Sequence, residues 1–239
     1  MSPSRNLLLA SLPRAAFQLL LPDLALQQLA FGEVLQEPGQ PLRNVYFPVD
    51  GLVSLLTVVK GRFALEVAMV GREGMVGVPL ALGVKSTRMR AMVQGGGTAL
   101  RMDGKRFAAA MEQSTPLRSA LLGYVDSLMS QIARTAACNR FHVVEARLAR
   151  WLLMTRDRSG SADFTMTQEF LSSMLGVRRV GVSEAASGFQ RKKLIEYSRG
   201  RIRIVDHAGL EAACCACYGD EPGALPSWRP ALAASLPTS

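Results

Sequence analysis

Between Arg178 and Arg203, eight basic residues (Arg178, Arg179, Arg191, Lys192, Lys193, Arg199, Arg201 and Arg203) stand against two acids, Glu184 and Glu196. Such a surplus suits neutralisation of a phosphate backbone. Other residues able to do chemistry are sparse. The two histidines, His142 and His207, lie far from any nucleophile–base pattern, and no phosphate-cradling Walker spacing occurs, so an enzyme is not expected. Of the four cysteines, Cys138 stands alone and Cys214, Cys215 and Cys217 crowd into CCAC. That crowding is no disulfide framework and fits a reducing compartment. Cys214 and Cys217 form a C-x-x-C, but a four-ligand zinc site needs partners that the sequence does not place beside it. These cysteines are therefore read as packing residues, with no metal expected.

The basic residues need a scaffold, and residues 166–206 supply one. Thr167 is the expected N-cap of a helix running to Leu175, with Phe170, Leu171, Met174 and Leu175 on one face. Gly176 provides the left-handed turn that ends it. In a second helix Val182, Ala185 and Phe189 form the buried side, while Arg179, Ser183, Ala186, Ser187 and Gln190 face outward. Leu194–Tyr197 and Arg201–Val205 read as strands joined by a turn at Arg199-Gly200. This is a helix-turn-helix with a wing, a unit whose second helix offers its N-terminal residues to base edges in the major groove. Arg179 is expected to reach a guanine edge as a bidentate donor, with Ser183 and Glu184 one turn further on. Arg178, Gln168, Arg199, Arg201 and Arg203 are expected to hold the DNA backbone.

The segments TQEFLSSMLGV, RRVGVSEA, LIEYSRGRIRIVD and DHAGLEAACCACYG occur in an order and spacing that resemble the winged-helix domain of the Crp/Fnr family of bacterial transcription regulators. The resemblance implies a homodimer on palindromic double-stranded DNA, with RNA polymerase a further partner. In the family an acidic residue follows the reading arginine. Val180 occupies that place here, which offers an apolar contact to a thymine methyl instead. The competing function is a protein-interaction or small-molecule-sensing module that does not bind DNA. The charge on the second helix and wing argues against it.

The formal net charge of +9 suits an anionic partner, nucleic acid or acidic membrane surface alike. No apolar run approaches the roughly 18 residues of a spanning helix. Leu7–Leu9 and Leu19–Leu21 are short and interrupted by Pro13, Arg14 and Pro22, so neither membrane insertion nor a secretory leader is expected, and the expected residence is cytoplasmic. The chain of 239 residues, 49% hydrophobic and 20% charged, can hold two modest cores.

Residues 1–6 read as frayed, and Leu7–Leu21 as one or two short helices. From Leu24 to Met102 short apolar runs alternate with turn signals at Glu37–Pro41, Val49–Gly51, Lys60-Gly61, Gly71 and Gly95–Gly97. The candidate strands are Leu24–Leu29, Glu33–Leu35, Val45–Phe47, Leu52–Val59, Ala64–Val70, Met89–Val93 and Thr98–Met102. The pattern argues for an antiparallel sandwich or barrel, and the resemblance implies a jelly roll like the cyclic-nucleotide-binding domain. A short helix is expected over Asp103–Ser114, and Pro116 opens a longer one. On it Leu117, Leu121, Tyr124, Leu128, Gln131 and Thr135 step along one side, and Leu122, Val125, Met129 and Ile132 along another. Two apolar stripes are too many for one exposed helix. One stripe against the barrel and one against a second copy would account for them, and a helix buried within a single chain is the alternative. The resemblance implies a parallel dimer seam, assigned to the first stripe. Val143–Thr155 reads as another helix with Leu148, Trp151, Leu152 and Met154 inward, Arg156–Phe164 as a loop, and Leu210–Tyr218 as a last helix.

The expected class is thus α+β: an antiparallel jelly-roll sensor domain over 1–115, a dimerisation helix over 116–142, a winged helix-turn-helix over 143–218, and a tail over 219–239 in which Trp228 could dock. In relatives that bind cyclic AMP, the resemblance implies a Gly-rich turn, a Glu and an Arg-Ser pair around ribose and phosphate. Here Gly77 fits that element, but Val78 stands where the Glu belongs. Thr87 and Arg88 lie at the Arg-Ser position without that pair, and Arg88 or Arg90 could supply a cation by a register slip. The effector pocket is read as degenerate, with no cyclic nucleotide and no other cofactor expected. An iron–sulfur cluster of the family's kind needs N-terminal cysteines, and none precedes Cys138. A haem in the β-domain would lack an imidazole.

Overall fold

The computed structural model describes residues 6–59 and 63–218. Of the start read as frayed, residues 1–5 lie outside the described residues, as do the Lys60-Gly61 turn and the tail over 219–239 with Trp228, whereas Asn6 is buried and its side chain accepts from the Leu9 N–H at 3.0 Å. Two short helices, α1 (Leu7–Ala10) and α2 (Arg14–Leu20), lead into an antiparallel roll. Its strands are β1 (Ala25–Leu29), β2 (Val34–Gln36), β3 (Asn44–Pro48), β4 (Leu52–Val59), β5 (Phe63–Val70), β6 (Arg90–Gly95) and β7 (Gly97–Asp103), with the four-residue helix α3 (Val78–Ala81) between β5 and β6. One sheet has the order β1-β7-β3 and the other β2-β6-β4-β5. Between them Val53, Leu55, Val70, Val93 and Ala99 form a buried core, the arrangement that alternating short strands demand.

Asp103 ends β7 and begins α4 (Gly104–Gln113), its carboxylate accepting from the Lys105 and Arg106 N–H groups at 2.9 and 3.2 Å. Ser114 then caps α5 (Thr115–Phe141), a helix of 27 residues with Pro116 in its first turn. Leu117, Leu121, Tyr124, Leu128 and Gln131 are buried beneath this helix within the chain. Thr135 is half-buried and faces Arg150 at 3.4 Å. This corrects the sequence assignment: the stripe taken for a dimer seam is the one that holds α5 to the roll. Two contacts fix it there. Gln131 accepts from the Met69 N–H at 2.6 Å and donates to the Met69 carbonyl at 3.3 Å, completing the backbone bonds of edge strand β5. Tyr124 donates to the Met75 carbonyl at 3.3 Å, and a Cβ on Gly74 would lie 2.2 Å from its hydroxyl, so only glycine fits at 74. The outer stripe keeps Leu122 and Met129 exposed.

The chain bends at His142-Val143 into α6 (Val144–Ser159), which extends past the expected end at Thr155. Then come β8 (Asp163–Thr165), α7 (Gln168–Leu175), α8 (Arg179–Arg191), β9 (Ile195–Ser198), β10 (Arg201–Ile204) and α9 (His207–Ala212). Strand β8, which overlaps the end of the stretch read as a loop, pairs with β10 to make a three-stranded wing of order β8-β10-β9. Helix α9 stops at Ala212, and turns rather than helix carry Ala213–Tyr218. Trp151, Leu152, Leu171, Val182, Phe189 and Ile202 form the core of this unit, which continues into Leu56 and Met69 of the roll. Burying Phe189 completely contributes about 2–3 kcal/mol. Polar links cross the same boundary: Glu66 on β5 accepts from Trp151 Nε1 at 2.8 Å and stands 2.5 Å from Ser54 Oγ, and Glu73 of the roll accepts from Arg158 Nε at 3.2 Å.

Candidate nucleic-acid interface

Helix α7 begins where Thr167 Oγ1 accepts from the Phe170 N–H at 3.1 Å, and ends at Gly176 with φ +62°. A Cβ there would meet Leu65 of β5 at 2.7 Å, so glycine serves both the left-handed turn and the close approach to the roll. Val182, Ala185, Ala186 and Phe189 seat α8 on its unit. Ala186, expected outside, is buried. Arg178, Arg179, Val180, Glu184 and Ser187 are exposed along the other side.

The C-terminus of α8 uses a lysine where glycine is usual. Lys193 has φ 58°, its N–H donates to the Gln190 carbonyl at 2.9 Å, and the Leu194 N–H reaches the Phe189 carbonyl at 2.9 Å. That bonding pattern closes the helix and aims the chain into the wing. At the wing tip Arg199 and Gly200 both have positive φ, 50° and 79°, as the two-residue turn between Ser198 and Arg201 requires.

A groove between α8 and the wing is lined by Thr167, Gln168, Glu169, Arg179, Gln190, Tyr197, Arg199 and Gly200. Three of the expected DNA-contacting residues, Gln168, Arg179 and Arg199, therefore share one surface. Ser183 joins them by donating to Gln168 Oε1 at 2.5 Å, which holds the glutamine rather than leaving the hydroxyl to a base. Arg178 sits at the N-cap of α8, where the helix end adds partial positive charge. Glu184 instead lines a second groove with Arg191 and Lys192, facing Val144 and Glu145 of α6. Arg201 and Arg203 stand on the wing beside Asp163 of β8, at 3.6 and 4.0 Å, and both remain mostly exposed. Sequence reasoning passed over Tyr197 as a site residue. It anchors the groove by donating to the Met166 carbonyl at 2.8 Å and accepting at its own carbonyl from Gln190 at 3.1 Å. Its place opposite Gln190 follows from the β9–β10 register, which no residue type announces.

The residues proposed for an effector do not converge. Gly77 has φ +105° and a Cβ there would meet Val45 at 2.9 Å and Gln36 at 3.3 Å, while Val78 opens the short helix α3. Thr87 is buried, with its hydroxyl directed to the Met89 carbonyl at 3.1 Å. Arg88 is exposed. The Arg90 guanidinium is held by Glu37 at 3.0 Å. A cyclic phosphodiester needs a cation and backbone N–H groups aimed at one point, and these residues do not provide that.

The cysteines also fall differently from expectation. Cys214 and Cys217 do not act as a pair: Cys214 Sγ points to the Ala146 carbonyl at 3.8 Å, whereas Cys215 and Cys217 come together with Cys138 and His142. No helix among the described residues is long and apolar enough to cross a membrane.

The Crp-like helix-turn-helix domain family matches residues 146–213. Comparison with curated protein sequences finds no match. Among solved structures, FixK2 from Bradyrhizobium japonicum is similar at 15% identity and a TM-score of 0.69, over 81% of this chain and 98% of that one. TTHB099, a transcriptional regulator of the CRP family from Thermus thermophilus, is similar at 20% identity and a TM-score of 0.64, over 84% and 99%. The c-di-GMP-responsive global regulator CLP from Xanthomonas campestris is similar at 14% identity and a TM-score of 0.65, over 80% and 99%. Residues 146–213 thus form a Crp-like helix-turn-helix domain, carried by a chain with the fold of the Crp/Fnr transcription regulators.

Proposed function

We propose that the protein is a sequence-specific regulator of transcription that binds a two-fold symmetric DNA site as a homodimer. The observation that carries this reading is the groove in which Gln168, Arg179 and Arg199 meet, on the exposed side of a helix whose opposite side is fully packed. Arg179 reads a guanine edge, Val180 meets a neighbouring base through apolar contact, and Arg178, Gln168 and Arg199 hold phosphates. Arg201 and Arg203 contribute to the field of the wing. Glu184 faces the groove toward α6, where Lys192 pairs with Glu145 at 3.0 Å, and is set away from the bases.

The roll over 1–115 serves as a sensor-like domain, 116–142 as the dimer helix and 143–218 as the DNA-binding unit. The second copy lies against the outer stripe of α5. Leu122, Met129 and Ala136 recur every seven residues on its exposed side, while Val125 is buried and Ile132 packs on the core of the roll; the seven-residue repeat suits a parallel seam. CLP is described as responsive to c-di-GMP. In this chain the pairing of Arg90 with Glu37 and of Thr87 with its own backbone supports a roll that takes no cyclic nucleotide.

Selection of bound duplexes from a random pool tests the reading, followed by affinity measurements at two salt concentrations. The expected result is a palindrome with half-sites one helical turn apart, roughly 34–36 Å, and a steep fall of affinity with salt. An enriched site without symmetry would remove the dimer. Absence of salt-dependent binding would remove the DNA reading itself.

A further inference from the structure

Cys138 lies in the last turns of α5 and His142 caps that helix, while Cys215 and Cys217 follow α9, more than seventy residues on. The fold brings all four to one point. Cys138 Sγ is 3.6 Å from Cys215 Sγ, Cys217 Sγ is 3.7 Å from His142 Nδ1, and the four atoms all lie within 4.8 Å of one another. Four ligands on a tetrahedral zinc ion, with Zn–S of about 2.3 Å and Zn–N of about 2.0 Å, stand roughly 3.5–3.8 Å apart along each edge. Both measured contacts fall in that range. An iron–sulfur cluster would distribute its ligands over several iron atoms, which sets them farther apart than these.

We propose that Cys138, His142, Cys215 and Cys217 bind a single zinc-type metal ion, a site that stands independently of the DNA-binding reading. The composition suits the assignment, since three thiolates and one imidazole in tetrahedral array are the preferred set of zinc over harder cations. The surroundings suit it as well. Three thiolates around a divalent ion carry one net negative charge, and the buried guanidinium groups of Arg147 and Arg150 lie on the same cluster. The carbonyl end of α5, which favours a cation, points there too. Binding releases three thiol protons to solvent and none from the neutral imidazole, which coordinates through Nδ1. Cys214 is excluded by its direction toward Ala146.

The site clasps the end of the long helix to the end of the winged unit and so fixes the bend at His142-Val143. The metal would thereby set the angle at which α8 is presented relative to α5.

The test uses the full chain, reduced, stripped with a chelator and titrated with cobalt(II) alone. The expected result is one equivalent per chain, with a thiolate-to-cobalt charge-transfer band and the visible bands of tetrahedral cobalt, both erased by one equivalent of zinc. Cys215→Ser and His142→Ala should each weaken binding by at least about tenfold, and Cys214→Ser should leave it unchanged. Wild-type protein that gives no tetrahedral cobalt spectrum overturns the proposal, whatever the variants do. So does a wild-type protein isolated with stoichiometric inorganic sulfide and iron, or a Cys214→Ser chain that loses the metal as completely as Cys215→Ser.

Discussion

Replacing Arg179 by alanine is expected to weaken binding to the selected site roughly ten- to a hundredfold, about 1–3 kcal/mol, and to leave binding to random duplex near the wild-type level. Arg179 is the first residue of α8, exposed, on the rim of the groove with Gln168 and Arg199. A guanidinium there meets a base edge as a planar fork, and its loss leaves the guanine O6 and N7 acceptors without partners. Arg199 makes the contrasting case. It sits at the wing tip in a left-handed turn, and the role proposed for it is a phosphate contact. Arg199→Ala should lower affinity by a similar factor on every sequence and reduce the salt slope by about one. Anisotropy titrations of both variants on specific and random duplexes separate the two roles. Equal losses for Arg179→Ala on both duplexes would reassign that residue to the backbone.

The contrast also explains what could be read from the sequence. Elements announced by local chemistry came out close to their observed bounds: Thr167 and Gly176 bracket α7, Arg199-Gly200 marks the hairpin, and Leu52–Val59 is a strand in both. Periodicity likewise gave two apolar stripes on α5. It could not say which stripe the roll covers, because Leu117 and Leu122 are equally apolar. That choice is made by Gln131 meeting the edge of β5 and Tyr124 meeting Gly74, contacts between residues some fifty to sixty positions apart.

The same limit governs the residues that were passed over. Strand β8 is three residues, two of them polar, and only its pairing with β10 makes it a strand. Ala186 is small enough to suit either side of a helix, so its type carried no information about burial. The cysteines illustrate the point most directly. The tempting local signal was Cys214-x-x-Cys217, yet turns replace the expected helix there and divide the three thiols between two directions. The usable signal was Cys138-x-x-x-His142 on one helix end together with Cys215-x-Cys217, two ligand pairs whose meeting depends on the tertiary fold.

Glu66→Gln is expected to stabilise the protein above neutral pH and to have little effect near pH 4.5. Glu66 is buried between β5 and α6, and burial raises its carboxyl from 4.5 to about 7, with Ser54, Trp151, Arg158 and Arg150 only partly offsetting that rise. A neutral carboxyl suits its network as the amide of Gln94 is placed. Ser54 Oγ is within reach of both Glu66 and Gln94 but carries one proton. A protonated Glu66 donates to Ser54, which then donates to Gln94, while Trp151 Nε1 still donates to the other carboxyl oxygen. Because the folded value lies above the unfolded one, the group's contribution is fully present below about pH 4.5 and is lost as pH rises through 7. The interval corresponds to about 3 kcal/mol. Glutamine keeps an acceptor for Trp151 and a donor for Ser54 but does not titrate. Urea unfolding of both proteins from pH 4.5 to 8 should therefore show the variant gaining progressively, by up to about 3 kcal/mol, with most of the gain below pH 7. Parallel profiles would mean that Glu66 is ionised in the folded state throughout, with the contact between the roll and α6 sustained by a charged carboxylate.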